Sequence, residues 1–255
     1  MILVGDNPGS VAFIKQKQKA ATRIGADLIL KQLPETASPS DVSALVTQYN
    51  NDPKIHGLIV QRPLPPSLGD MSAVLASVAL NKDVDGFLPN SPFIAPVARA
   101  VLAILNLVFE REKPNIKETT FDEWLQNQCS VIIGRGETAG KPISKVLTEK
   151  GCTISIVHSH TPNPKEITLK FNIIVSCVGR ERVVTPDMVT PQTILIGVGM
   201  WTDPSGKLRG DFNKEEIDDN VAYYTPTPGG VGPVNVANLM KNLVEACILT
   251  SGKPS

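Results

Sequence analysis

The tightest constraint on this chain lies between Val131 and His160, VIIGRGETAGKPISKVLTEKGCTISIVHSH. The apolar residues Val131 to Ile133 run straight into Gly134-Arg135-Gly136-Glu137-Thr138-Ala139-Gly140, which reads as a turn opening a helix. Pro142 is tolerated in the first turn of that helix because the amide it lacks would have no partner there. Lys150-Gly151 ends the helix with a basic residue and a C-terminal glycine. The β-branched run Cys152 to Val157 follows as a second strand. Strand, glycine turn, helix and strand form one βαβ unit, whose helix start suits a pyrophosphate.

The glycines are spaced G-x-G-x-x-x-G, which departs from the usual dinucleotide fingerprint and by itself is also what a turn needs to pack a helix on a strand. The end of the second strand sharpens the reading. An NAD site normally carries an acidic residue there for the ribose hydroxyls. Here the positions are His158, Ser159 and His160, and Arg135 stands in the turn itself. Cationic and hydroxyl donors suit a 2′-phosphate, so the expected cofactor is NADP.

Twenty-five basic and 25 acidic residues among 255 cancel, which gives no general electrostatic reason to expect nucleic acid or an anionic membrane as partner. Four cysteines, Cys129, Cys152, Cys177 and Cys247, are scattered without a C-x-x-C pair, arguing against a zinc site and a disulfide framework. No metal site is expected, and free thiols point to a reducing cytoplasm. Nor does any stretch approach the ~20 apolar residues of a membrane span. No signal segment is apparent at Met1.

From the start, Met1 to Gly5 reads as the end of a strand, so a shielding element is expected ahead of it. Ser10 is a candidate cap for a helix from Val11 to Ile24 whose stripe is Phe13, Lys17, Ala20 or Ala21, and Ile24. A lysine on such a stripe ordinarily snorkels at the core edge. A strand is expected over 26–33 and a helix from Ser38 or Ser40 to Asn50. A buried strand, His56 to Gln61, ends in a polar residue where ligands gather in parallel sheets. A short helix (Met71 to Leu80), the turn Asn81-Lys82-Asp83-Val84-Asp85-Gly86-Phe87 and an apolar helix (Ala95 to Phe109) follow. The polar segment Glu110 to Thr120 is the expected domain boundary. Short buried strands, Asn172 to Gly179 and Thr193 to Gly199, end in small residues that admit a dinucleotide close to the backbone, Val178 and Gly179 among them. Lys207 to Asp211 reads as an irregular excursion. The rigid loop Thr225-Pro226-Thr227-Pro228-Gly229-Gly230-Val231-Gly232-Pro233 leads to a closing helix.

Taken together, VGDNPGS, KQKA, GLIVQRPLP, DVDGF, GRGETAGKP, HSHT and TPTPGGVGP resemble, in order, the methylenetetrahydrofolate dehydrogenase/cyclohydrolase family across nearly the whole chain. That resemblance implies an α/β fold of two α/β domains flanking a cleft, the second a Rossmann-type dinucleotide-binding domain. It assigns 1–112, with the closing helix 234–255 packed back on it, to folate binding and catalysis, and 113–233 to NADP. Lys17 matches the family's catalytic lysine, Gln61 its hydrogen-bonding partner and Asp85 the aspartate that recognises the pterin. Phe13 and the loop residues Pro228, Gly229 and Gly230 are implied on the folate side. Gly134, Arg135, Gly136, Ser159, Val178, Gly179, Thr227 and Gly232 are implied on the NADP side, with Arg135 and Ser159 at the 2′-phosphate. The implied reactions are NADP-dependent oxidation of 5,10-methylenetetrahydrofolate and hydrolysis of the methenyl product to 10-formyltetrahydrofolate, in a homodimer associated through the cofactor domain.

Three departures from the family pattern stand out. Phe13 replaces a tyrosine, Ala95 replaces a threonine, and Gly197 stands where an aspartate is common. The family's opening helix is also absent, and Glu110 to Gln128 is longer than usual. A dehydrogenase with weak cyclohydrolase activity and a silent folate- or nucleotide-binding protein are the alternatives. Joint retention of Lys17, Gln61, Asp85 and the proline–glycine loop argues against the silent form.

Overall fold

The computed structural model describes residues 1–115 and 119–251; 116–118, in the expected boundary segment, and 252–255, at the end of the expected closing helix, lie outside the described residues. The chain divides into two units, Met1–Pro96 with Val236–Ser255, and Val97–Asn235. No helix among the described residues is long and apolar enough to cross a membrane.

In the first unit β1 (Ile2–Val4) pairs in parallel with β2 (Lys31–Leu33). Because β1 offers only three residues to pair with, the strand expected over 26–33 shrinks to its last three. Residues 58–61 run along the other side of β1, where Ile2 donates to the Ile59 carbonyl and Gln61 to the Ile2 carbonyl, both at 2.8 Å. The expected strand His56 to Gln61 is thus reduced to a single bridge between Ile2 and Val60. Leu58 and Val60 pack with Ile2, Val42 and Val46, whereas Ile59 packs with Val84, Phe93 and Leu239. Side chains alternate across a strand, so a run buried on both faces is apolar throughout.

Helix α1 (Pro8–Arg23) begins earlier than expected, because Asn7 and not Ser10 is its cap: the Ser10 amide donates to Asn7 Oδ1 at 3.0 Å, with Pro8 in the first turn. Its buried face is Ser10, Ile14, Lys17 and Ala21; Ile24 lies beyond the helix and is exposed. In α2 (Pro39–Asn51) Ser38 and Asp41 form a reciprocal capping box. Its far end is closed by Lys82, whose ammonium donates to the carbonyls of Tyr49, Asn50 and Asp52, each at 2.8 Å. The helix expected from Met71 to Leu80 is only α3 (Ser72–Ala76), because Asn50 captures both the Ser77 carbonyl and the Ala79 amide and draws the chain away.

Helix α4 (Pro96–Glu112) groups with the second unit, whereas the sequence reading put it in the first domain. After it comes α5 (Phe121–Gln126), unforeseen because its apolar side is a ring cluster (Phe121 and Trp124 against Phe109) without a repeating stripe. The remaining elements are β3 (Cys129–Ile133), α6 (Gly140–Glu149), β4 (Thr153–Val157), α7 (Pro164–Thr168), β5 (Ile173–Ser176), β6 (Ile194–Gly197), β7 (Met200–Thr202), β8 (Leu208–Gly210), α8 (Lys214–Ile217), β9 (Tyr223–Tyr224) and α9 (Val231–Ser251). The main sheet runs β4-β3-β5-β6-β9, all parallel. Strand order reverses at β3, so the crevice beyond the carboxyl ends of β3 and β5 is its topological switch point. The expected irregular excursion is instead the antiparallel hairpin β7–β8, with the Trp201 indole donating to the Gly210 carbonyl at 2.9 Å.

Candidate functional site

On α1 Lys17 stands one turn after Phe13 and meets the end of the 58–61 segment. The ammonium donates to Gln61 Oε1 at 3.1 Å and lies 4.8 Å from the centre of the Phe13 ring. Lys17 is 4 % exposed and Gln61 7 %, so this is a buried amine and not a snorkelling one. Gln61 is oriented in turn by its own amide, which donates to the Arg62 carbonyl at 2.7 Å. Burial pushes the Lys17 ammonium below its ordinary range, and the negative charge of Asp85 opposes that in part. The result is an amine that gives up its proton more readily than a surface lysine and whose acceptor contact is already made.

Asp85 is carried on a loop held from behind. Gly86 has φ +63°, and a side chain there would strike the Phe93 carbonyl oxygen at 2.6 Å. The loop therefore lies flat on the Phe93–Ala95 backbone. Asn242 of α9 fastens the two segments together, donating to the carbonyls of Val84 (2.8 Å) and Ile94 (2.9 Å) from a fully buried position. Beside Asp85, the buried Asp83 accepts from the Leu88 amide at 3.0 Å, and burial raises its pKa. Sequence reasoning missed Asn242 and Lys82. A polar residue in a closing helix and a lysine in a turn carry no local signal of what they grip.

Within the second unit, Ile133 pairs with Val157 and the Gly134 amide donates to the Val157 carbonyl at 2.8 Å. The glycine turn and the His158–His160 segment thus leave neighbouring strands side by side. Arg135, Ser159 and His160 are all exposed there, and Ser159 Oγ lies 3.2 Å from His160 Nδ1. A Cβ on Gly140 would fall 2.1 Å from the Gly134 carbonyl oxygen, so α6 starts directly against the turn. No side chain caps α6. Gly134 and Gly140 are thus demanded by close backbone packing, whereas a Cβ on Gly136 would meet nothing within 4 Å, so the turn is open there and the donors nearby suit a phosphate.

Val178 and Gly179 follow β5, but their amides are turned inward: Val178 donates to Asp211 Oδ2 at 2.9 Å and Gly179 to Oδ1 at 2.7 Å. In the proline–glycine loop, Thr225 accepts from the Gly197 amide at 2.8 Å. Gly230 backs onto the Pro226 carbonyl, where a Cβ would come within 2.5 Å, so Pro228 to Gly230 form a tight reversal. Thr227 packs on Gly210, and with Pro226, Trp201, Arg209 and Tyr224 it borders a cavity of about 480 Å³. At Gly197, where an aspartate was noted as common, the Phe212 ring fills the side-chain space, 2.8 Å from where a Cβ would stand.

Residues 1–85 match the tetrahydrofolate dehydrogenase/cyclohydrolase catalytic-domain model and 116–250 its NAD(P)-binding-domain model. The chain belongs to the tetrahydrofolate dehydrogenase/cyclohydrolase family. Its similarity to the bifunctional protein FolD of Rickettsia bellii is 35 % identity over 256 residues, covering 96 % of this chain and 86 % of that protein. Among solved structures, the bifunctional enzyme FolD of Campylobacter jejuni superposes with a TM-score of 0.85 at 32 % identity, covering 96 % of this chain and 86 % of that one. The Trypanosoma brucei methylenetetrahydrofolate dehydrogenase-cyclohydrolase, complexed with NADP cofactor and inhibitor, gives a TM-score of 0.86 at 28 % identity, covering 98 % and 86 %. Membership in the tetrahydrofolate dehydrogenase/cyclohydrolase family accounts for the parallel dinucleotide-binding sheet of the second unit.

Proposed function

We propose that this chain is a bifunctional one-carbon folate enzyme, oxidising 5,10-methylenetetrahydrofolate with NADP and hydrolysing the methenyl product to 10-formyltetrahydrofolate. The observation that carries the reading is the buried Lys17–Gln61 pair on its Phe13 ring. Burial favours the neutral amine of Lys17, which suits it to take a proton near a cationic substrate.

The hydrolysis follows from that chemistry. Water adds to the methenyl carbon, and Lys17 takes the proton that the water loses. The hydroxyl then gives up its remaining proton to solvent as the formyl C=O forms and the carbon–N5 bond breaks, the electron pair of that bond staying on N5, which receives the proton back from the Lys17 ammonium. The formyl group remains on N10. Gln61 holds the amine in place throughout, and Asp85 accepts hydrogen bonds from pterin donors. Phe13 supplies an apolar face in place of the family's phenol.

In the second unit, Gly134 and Gly136 would admit the NADP backbone, and Arg135 and Ser159 would hold its 2′-phosphate. Val178, Gly179, Thr227 and Gly232 would border it, and Pro228 to Gly230 would border the folate. When bound, the nicotinamide accepts the hydride that the methylene carbon gives up. In the same reading, residues 1–112 with the closing helix serve the folate and 113–233 serve NADP. The free thiols of Cys129, Cys152 and Cys177 fit a cytoplasmic home. The family likeness supports a homodimer, and sedimentation as a 27.4 kDa species at micromolar concentration would refute it.

A coupled assay tests the function: NADP reduction with methylenetetrahydrofolate, then decay of the methenyl absorbance. Activity in both steps is expected. Reduction without hydrolysis would favour a dehydrogenase limited by Phe13 and Ala95, and loss of both would refute the proposal.

A further inference from the structure

Asp211 directly follows β8 and is completely buried. Its carboxylate accepts from Ser176 Oγ (2.6 Å) and the Val178 amide (2.9 Å) on one oxygen, and from the Gly179 (2.7 Å) and Arg180 (3.0 Å) amides on the other. Its main-chain carbonyl takes the amides of Val183 (2.7 Å) and Val184 (3.1 Å) as well. A buried carboxylate is tolerated when its lone pairs are filled in this way, and charge-assisted bonds of this kind are the stronger ones. Room for it is made by Gly199, where a Cβ would fall 2.2 Å from the Asp211 oxygen.

One residue thereby decides which edge of the loop after β5 looks outward. With three successive amides drawn in, the Cys177 carbonyl lies against the glycine turn, 2.9 Å from where a Cβ on Gly134 would be. Gly134 follows β3 and Cys177 follows β5, the two strands that flank the switch point. A carbonyl at that place accepts from hydroxyl or amide donors and repels phosphate oxygens.

We infer that Asp211 is a positioning residue for the dinucleotide, holding the loop after β5 so that its carbonyl edge, and not its amides, faces the switch-point crevice. The inference rests on the reading of the second unit as the NADP site. Sugar hydroxyls belong beside Cys177, and the diphosphate belongs at the glycine turn and the start of α6.

Asp211→Asn in the full chain tests it, since the new amide group must face one of the two pairs of donors. NADP affinity, by calorimetry and as KM, should weaken by about tenfold, the scale of a lost charge-assisted bond. The KM for methylenetetrahydrofolate and the rate of methenyl hydrolysis, which needs no NADP, should stay within about twofold, whereas general damage to the fold would lower all of them together. A folded variant that binds NADP as tightly as the parent overturns the inference. Should circular dichroism show the variant unfolded, Ser176→Ala decides: it removes one of the four donors that fix the Asp211 carboxylate and so loosens the anchor of the loop, and a rise of about threefold or more in NADP KM is expected, whereas no change overturns the inference. A parent that hydrolyses methenyltetrahydrofolate but binds no NADP would overturn the cofactor reading itself, an outcome distinct from a parent that binds NADP and a variant that binds it equally well.

Discussion

The neighbourhoods of Lys17 and Arg135 are built on opposite principles. Lys17 is buried, tied to Gln61 and seated on a ring, whereas Arg135, Ser159 and His160 are exposed at the ends of neighbouring strands. Burial changes the acid–base character of an amine, so a group that moves protons gains from it. A group that captures a dianionic phosphate needs full charge and access, and burial would cost it both. On the proposed reading, proton transfer is placed inside and phosphate recognition outside.

The largest test of that contrast removes the buried amine. Lys17→Met should lower methenyl hydrolysis by ~10²–10⁴-fold while leaving measurable NADP reduction. Unchanged hydrolysis would mean that the buried lysine only fills space. The pH profile sharpens the same point. Because burial lowers the Lys17 pKa, hydrolysis should rise with pH through an inflection below the ordinary lysine value of 10.5, and that inflection should vanish in Lys17→Met. Stability should follow suit. Between the folded pKa and 10.5 the unfolded chain holds more protons on this residue, so its contribution to folding improves as pH rises across that window.

On the exposed side the effect should be smaller and confined to one ligand. Arg135→Ala should raise the NADP KM roughly 10- to 100-fold, the range of a lost charged hydrogen bond, and barely change NAD. Equal losses for the two cofactors would remove Arg135 from the 2′-phosphate. Asn242→Ala should cost about 1–3 kcal/mol in urea denaturation, because it strands the buried Val84 carbonyl and the part-buried Ile94 carbonyl, and should weaken folate binding through Asp85. Smallest of all is Phe13→Tyr. It returns a hydroxyl near Lys17 and should speed hydrolysis by no more than about tenfold, the worth of one neutral hydrogen bond; no gain would show that the missing phenol is not limiting.

How much of this was legible beforehand depended on whether the cause was local. Strand, glycine turn and helix were readable at 131–157 because period, β-branching and glycine all act within a few residues. Gln61 stood out by its place at the end of an apolar run, whereas the roles of Lys17 and Asp85 came only through family likeness; spacing alone favoured a lysine snorkelling at the core edge. The hairpin β7–β8 escaped notice because each strand is three residues long and Asp203 organises its turn, accepting from the Ser205 and Lys207 amides and from Arg209. Asp211, Asn242 and Lys82 were invisible for a common reason: each grips backbone distant in sequence, and backbone atoms are the same in every residue. Ser10 was misread as a cap because Asn7, three residues earlier, offered an equally good acceptor.

The two tryptophans of the chain both belong to the second unit, Trp124 packed against Phe109 and Phe121 and Trp201 pinned to its hairpin. Indole emission is therefore a reporter of that unit alone, while circular dichroism sums the helices of both. Recording the two signals through one denaturation gives a direct reading of cooperativity. Coincident curves mean that the units melt as one, and an emission change offset from the ellipticity change gives the second unit a midpoint of its own.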